Sequence, residues 1–238
     1  MEKQDHLWPN GPQFLFDDSL FGPSTDSFLL GAFPKLHNGD RVCDLGSGTG
    51  LLGLLLCTGK SPLRLTNVEI DPRALDLCRR SYALSGLEAE YICGDLRDLS
   101  QLPVAGSFDL VISNPPYFDA SRGAVAQGAR GVARTTGCSA EELCRAADHL
   151  LKFGGSFALI YRCERMAEIF AQLQAHHLEP KRLRFIQNTV SSAPSLFLLE
   201  CKKGGHSGLM VEPPLLLHNP DGSETEDVRR AYFRDKES

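Results

Sequence analysis

The stretch that most restricts the fold runs from Arg41 to Cys57. A short apolar strand, Arg41-Val42-Cys43-Asp44-Leu45, meets the turn Gly46-Ser47-Gly48-Thr49-Gly50, and a helix from Gly50 to Thr58 follows at once. Strand, glycine turn and helix without a linker make the first half of a βαβ unit. The alternation then recurs. Leu63 to Ile70 reads as a strand, and Asp71 caps a helix with Pro72 at its first position that ends near Ser85. Ala89 to Cys93 and Phe108 to Ser113 are the third and fourth strands. Ser139 caps a helix from Ala140 to Leu151, and Ser156 to Tyr161 is the fifth strand, after a Gly154-Gly155 break. A helix from Glu164 to His176 precedes strands at Lys181 to Ile186 and Ser195 to Cys201. This order predicts an α/β, Rossmann-like, doubly wound and mostly parallel sheet in a single domain spanning residues 1–238.

The two ends fall outside the alternation. Residues 1–22 carry Trp8, Phe14, Phe16 and Phe21 among Pro and Gly, which reads as an irregular arm packed on the domain. A helix capped by Ser24 or Thr25, with Asp26 in its first turn, follows the arm. The extension 204–238 has a Pro213-Pro214 corner, the run Leu215-Leu216-Leu217 and a short helix from Thr225, and reads as cover for a sheet edge.

A hydrophobic share of 42% allows a full core. The net charge of −5 weakens a nucleic-acid reading, because phosphate binding leans on Lys and Arg, although a local basic face can sit on an acidic protein. The eight cysteines form no Cys-x-x-Cys pair, so they read as small buried hydrophobes in a reducing compartment and no metal site is expected. No stretch has the order of a secretory leader, and no apolar run is long enough to span a bilayer. The expectation is a cytoplasmic protein without a membrane partner.

Gly46, Gly48 and Gly50 let the backbone come close to a ligand, and Gly48-Thr49-Gly50-Leu51-Leu52-Gly53 also satisfies the dinucleotide fingerprint. Asp44 separates the two possibilities. A carboxylate at the end of the strand is unhelpful beside a pyrophosphate but suits an ammonium, such as that on the amino-acid end of S-adenosyl-L-methionine. Glu69, 25 positions after Asp44, closes the next strand with Ile70 beside it and can accept two ribose hydroxyls. Asp95, before Leu96, follows the third strand and can take an adenine amine. Three acids at successive strand ends beside Gly46-Ser47-Gly48 read as one cofactor site.

The fourth strand stops at Asn114-Pro115-Pro116-Tyr117. Two prolines have no N–H to continue a ladder, so the chain leaves the sheet as a stiff corner. Asn114 Oδ1 and the Pro115 carbonyl can accept the two hydrogens of a planar amine. That turns its lone pair toward a donor methyl, and Tyr117 can stack on the ring. A nucleic-acid target would have to be flipped out to reach it.

The Asp44–Gly50 turn, Glu69, Asp95 and Asn114–Tyr117 resemble class I S-adenosylmethionine-dependent methyltransferases of the Asn-Pro-Pro-Tyr amino-methylating group. Within that group, Phe21-Gly22-Pro23-Ser24-Thr25-Asp26-Ser27 through Leu30-Gly31-Ala32, Ala133-Arg134, Leu178 to Phe185, and Lys203-Gly204-Gly205 through Pro214 resemble the bacterial tRNA(Val) adenine-N6 methyltransferases. The resemblance implies a seven-stranded sheet with the last strand antiparallel. It implies Thr25 and Asp26 over the cofactor, transfer to the N6 amine of an adenosine in tRNA, and tRNA as partner. The basic residues that would meet RNA are Arg122, Arg130, Arg134, Lys181, Arg182 and Arg184. Two departures stand out: Thr135-Thr136 follows Arg134 where the family has His-Glu, and Gln187 to Ser192 carries no charge where relatives are basic. Methylation of protein glutamine, rRNA or DNA adenine stays open at the same corner, as does a non-catalytic RNA-binding or cofactor-sensing module. The glutamine enzymes carry an extra helical N-terminal domain, for which few residues precede Asp44. Asp44 disfavours a nicotinamide enzyme.

Overall fold

A computed structural model describes residues 1–17, 19–20, 22–58, 62–115 and 138–233. Apolar residues at alternate positions place each central strand between two helical layers. The strands are β3 (Arg41–Leu45), β4 (Arg64–Glu69), β5 (Glu90–Cys93), β6 (Phe108–Ser113), β7 (Leu151–Arg162), β8 (Leu178–Gln187) and β9 (Leu196–Lys203). They lie in the order β5-β4-β3-β6-β7-β9-β8, and β9 runs antiparallel to both of its neighbours. Val42, Leu110, Ile112, Ala158 and Ile160 point to one core, against α1 (Thr25–Gly31), α2 (Leu51–Cys57) and α3 (Pro72–Leu84). Cys43, Leu45, Val111, Phe157 and Leu159 point to the other, against α4 (Ala140–Leu150) and α5 (Met166–Ala175). Strands covered on both faces need this unbroken apolar run. Cys43, Cys78, Cys144 and Cys201 are buried in these cores, as expected of small hydrophobes.

The expected fold class holds, with three corrections. The arm is not irregular: β1 (Glu2–His6) and β2 (Gln13–Asp17) form an antiparallel hairpin. Its inner strand is held to α3 by Leu15 N–H donating to Ser81 Oγ at 2.9 Å. The fifth strand begins at Leu151 rather than Ser156, because Gly154, at φ 77°, absorbs a register shift instead of breaking the strand. The implied seven strands become nine among the described residues. Two dipeptides of the tail, β10 (Met210–Val211) and β11 (Leu215–Leu216), add parallel to the outer edge of β8. Pro213-Pro214 lies between them, which is why one longer strand cannot form there. The tail thus covers the edge, and α6 (Glu226–Ala231), capped by Thr225, closes it.

Strand order reverses between β3 and β6. That is the switch point at which open α/β sheets leave a crevice outside their carboxyl ends.

Candidate functional site

The sheet register brings the expected acids to one edge. Asp44 pairs with Ile112 across β3 and β6, Leu45 with Val68, and Glu69 with Cys93. Ser113 Oγ–H donates to the Leu45 carbonyl at 2.7 Å and fastens the ends of β6 and β3 together. The turn then curls over β4, with Gly46 N–H and Ser47 N–H both donating to the Val68 carbonyl at 2.9 and 3.0 Å.

The glycines divide by role. Gly46 and Gly48 have φ of 76° and 55°, and a Cβ on either would meet nothing within 4 Å, so they border open space. A Cβ on Gly50 or Gly53 would instead collide with Cys78 Sγ or the Tyr82 hydroxyl of α3. Those two glycines press α2 against α3. Between the open glycines, Ser47 Oγ is buried and has no hydrogen-bond partner among the described residues. An open cradle with an orphaned polar atom fits a ligand that supplies hydrogen-bonding groups.

Each acid has a distinct environment. Asp44 is 1% exposed and accepts the Gly53 N–H at 3.2 Å. Burial pushes its pKa up to about 7, the Gly53 N–H opposes that rise, and nearby Glu69 adds to it. Glu69 accepts Gly48 N–H at 2.7 Å on Oε2 and Asp71 N–H at 2.9 Å on Oε1. Burial raises its pKa against these bonds. A carboxylate has about four lone-pair positions, and with the Ile70 N–H as a third backbone donor Glu69 keeps room for a hydroxyl. Ile70, next in the chain, is 39% exposed. Asp95 is gripped by Arg97, whose Nε and Nη2 lie 2.9 and 2.7 Å from its oxygens, and that bond holds its carboxyl below the usual range. Leu96 is half-buried against the second core.

Asn114 is half-buried and Pro115 buried, immediately past β6. Pro116, Tyr117 and Arg122, Arg130 and Arg134 lie outside the described residues. Asn114 Nδ2 donates to Ser27 Oγ of α1 at 3.1 Å. Ser24, the cap of α1, accepts from Ser27 N–H. Thr25 and Asp26 form the first turn of this helix, and Thr25 Oγ1 accepts the Tyr232 hydroxyl at 2.8 Å. Phe28 stacks on Tyr232 with centroids 4.2 Å apart. Sequence reasoning missed Ser27 and Tyr232. Ser27 lies in a cap-like Ser24-Thr-Asp-Ser27 run and gives no sign of a contact 87 residues away.

The basic residues of β8 have partners within the fold. Arg182 is 15% exposed, donates through Nε to Glu212 at 2.8 Å, pairs with Glu200, and lies 4.4 Å over the Phe33 ring. Arg184 bonds Asp227 and the Pro213 carbonyl, and Lys181 Nζ bonds the His206 carbonyl at 2.9 Å. Two carboxylates thus neutralise Arg182 and one pairs with Arg184, and these contacts tie both arginines to the fold.

Comparison with known proteins gives the family context. A family model described as the methyltransferase small domain matches residues 23–178. The tRNA1(Val) (adenine(37)-N6)-methyltransferase of Pseudoalteromonas translucida is 37% identical over 155 residues, covering 63% of each chain, so that match spans somewhat less than two thirds of the relative. The enzyme of the same name from Shewanella sp. strain MR-4 is 30% identical over 225 residues, covering 91% of this chain and 93% of its own. A crystal structure described as a predicted O-methyltransferase from Agrobacterium tumefaciens superposes with a TM-score of 0.71 at 22% identity, over 87% of this chain and 96% of that one. That likeness speaks for the fold.

Proposed function

Because the chain belongs to the methyltransferase small domain family, we propose that it moves a methyl group from S-adenosyl-L-methionine to the N6 amine of adenosine 37 in tRNA1(Val). The acceptor in this reading is the one named for relatives that match nearly the whole chain. The observation that carries the chemistry is the position of Asn114, at the end of β6 beside the switch point and tied to α1. When bound, the cofactor supplies an electrophilic methyl on a sulfonium.

The residues then have separate tasks. The open Gly46–Gly48 cradle admits the amino-acid end of the donor, and ionised Asp44 attracts its ammonium. Glu69 accepts a ribose hydroxyl on its remaining lone pair, while Ile70 and Leu96 flank the adenine. Asp95 meets the adenine amine through the lone pairs Arg97 leaves. Thr25 and Asp26 close over this assembly from α1. Asn114 Oδ1 and the Pro115 carbonyl accept the two hydrogens of the target amine, which draws its lone pair out of conjugation with the ring and turns it toward the donor methyl. Pro116 keeps the corner stiff, and Tyr117 stacks on the flipped base. The methylated nitrogen then loses one proton to solvent water. Arg122, Arg130 and Arg134 follow this corner and are the proposed phosphate contacts, with Lys181 at the sheet edge. No helix among the described residues is long and apolar enough to cross a membrane. The proposed setting is the cytoplasm, where tRNA and donor meet.

The test is transfer of a tritiated methyl group to total tRNA and to a tRNA1(Val) transcript, followed by nucleoside mass spectrometry. N6-methyladenosine in the anticodon loop is the expected product. Its absence from a chain that still binds the donor would overturn the reading.

A further inference from the structure

The sequence offers no link between α1 and the Asn114 corner, yet a part-buried hydrogen bond joins the two. Asn114 Nδ2 donates to Ser27 Oγ at 3.1 Å, and Ser27 is 9% exposed. Ser27 Oγ in turn lies 3.2 Å from Ser24 Oγ, the oxygen that caps α1 by accepting Ser27 N–H. Either hydroxyl can donate in that contact; with the Ser27 proton on Ser24, the Ser27 oxygen accepts from Asn114 Nδ2. That polarity distinguishes the two ends of the Asn114 carboxamide. The group is planar, and only its oxygen can accept a hydrogen of the target amine. Turned over, it would confront the amine with its own N–H bonds.

We infer that Ser27 is a positioning residue for methyl transfer: it holds the Asn114 carboxamide with Oδ1 toward the acceptor and so couples the donor side of the site to the amine side. The coupling is structural. Thr25 and Asp26, proposed to lie over the donor, are on the same turn of α1 as Ser27. Ordering that turn around the donor sets the Ser27 oxygen, and the Ser27 oxygen sets the amide. The inference rests on the proposed reaction and adds to it a residue that does not touch either substrate.

The experiment compares wild type, Ser27→Ala and Ser27→Thr by two measurements. In asparagine-selective 15N spectra, the side-chain amide pair lost in Asn114→Ala belongs to Asn114. This pair shifts and exchanges faster with solvent in Ser27→Ala and returns toward its wild-type position in Ser27→Thr. An amide pair indifferent to Ser27→Ala overturns the inference. In turnover on the tRNA1(Val) transcript, Ser27→Ala lowers kcat about tenfold or more, because a misoriented catalytic group is costly even when every group is present. KM for the donor stays within about twofold, and Ser27→Thr recovers most of the rate. An unchanged kcat, or a loss carried wholly by donor KM, overturns it. If wild type leaves tRNA unmethylated while the amide pair responds to Ser27→Ala, the tRNA reading fails and the positioning role stands.

Discussion

Asp44 combines two properties that conflict: it is buried, and its proposed task needs a charge. Its pKa stands at about 7 against an ordinary 3.8, with burial the first cause. Below that pH the group is largely neutral and offers the donor ammonium little. Donor affinity, measured calorimetrically on the free chain, is therefore expected to rise up to about tenfold per unit toward pH 7 and to level off above it. A flat profile would remove Asp44 from the ammonium site. The same shift opposes folding. Between its unfolded and folded pKa values the native chain holds a proton that the unfolded chain has released, so stability falls as pH rises through that window. Three pKa units correspond to about 4 kcal/mol. Asp44→Asn should accordingly raise the Tm of the donor-free chain more at pH 8 than at pH 5, while weakening donor binding. At Asn114 the expected split is the reverse. Asn114→Ala should lower kcat at least about a hundredfold, as loss of a preorganised polar group does, and leave donor affinity within a few-fold. Near-normal turnover would show that the corner does not hold the amine.

Among the elements, those with their own apolar period were legible. Residues Arg41–Leu45, Phe108–Ser113 and Pro72–Leu84 form the strands and helix their patterns announce. The hairpin β1–β2 was not, because Glu2–His6 is exposed along its whole length and has no buried face to mark its period. It is instead fixed by partners on α3: Glu2 to Arg80 and Gln13 N–H to Ser85 Oγ. On β8 the pattern gave the strand but not the partners of its charges. Arg182 reads locally as a solvent-facing cation, whereas its partners Glu200 and Glu212 lie 18 and 30 positions away. Both partners are themselves mostly buried, at 14% and 25% side-chain exposure. Arg182→Ala is thus expected to cost about 3–5 kcal/mol in chemical denaturation by leaving two carboxylates unpaired. Arg182→Met with Glu200→Gln and Glu212→Gln should recover most of that loss. A cost below about 1 kcal/mol for Arg182→Ala would mean that the pair is effectively solvated.

For the molecule as a whole, the placement of Asp44, Glu69 and Asp95 was readable because they lie at or just beyond the ends of β3, β4 and β5, and parallel strands bring those ends to one edge. The tie of α1 to Asn114, and of α1 to Tyr232, was not. Such ties, like the contact of Trp8 with Phe233, join residues far apart in the chain. The same distinction bears on RNA binding. A chain of net charge −5 repels phosphate on average, so contact must be concentrated where cations are not already spent on carboxylates. With Arg182 and Arg184 committed to Glu200, Glu212 and Asp227, the burden falls on Arg122, Arg130 and Arg134. With Lys181 these make four single-strand phosphate contacts, which at about 0.7 each give a slope near −3 in a plot of log affinity against log salt. We expect that slope for a fluorescent anticodon stem-loop followed by anisotropy between about 50 and 300 mM KCl. Replacing any one of Arg122, Arg130 and Arg134 with Gln should flatten it by about 0.7, whereas Arg182→Met, checked for folding, should leave it unchanged. A slope near −5 or steeper, or one flattened by Arg182→Met, would place the β8 edge against the RNA backbone and displace those three arginines as its main electrostatic contact.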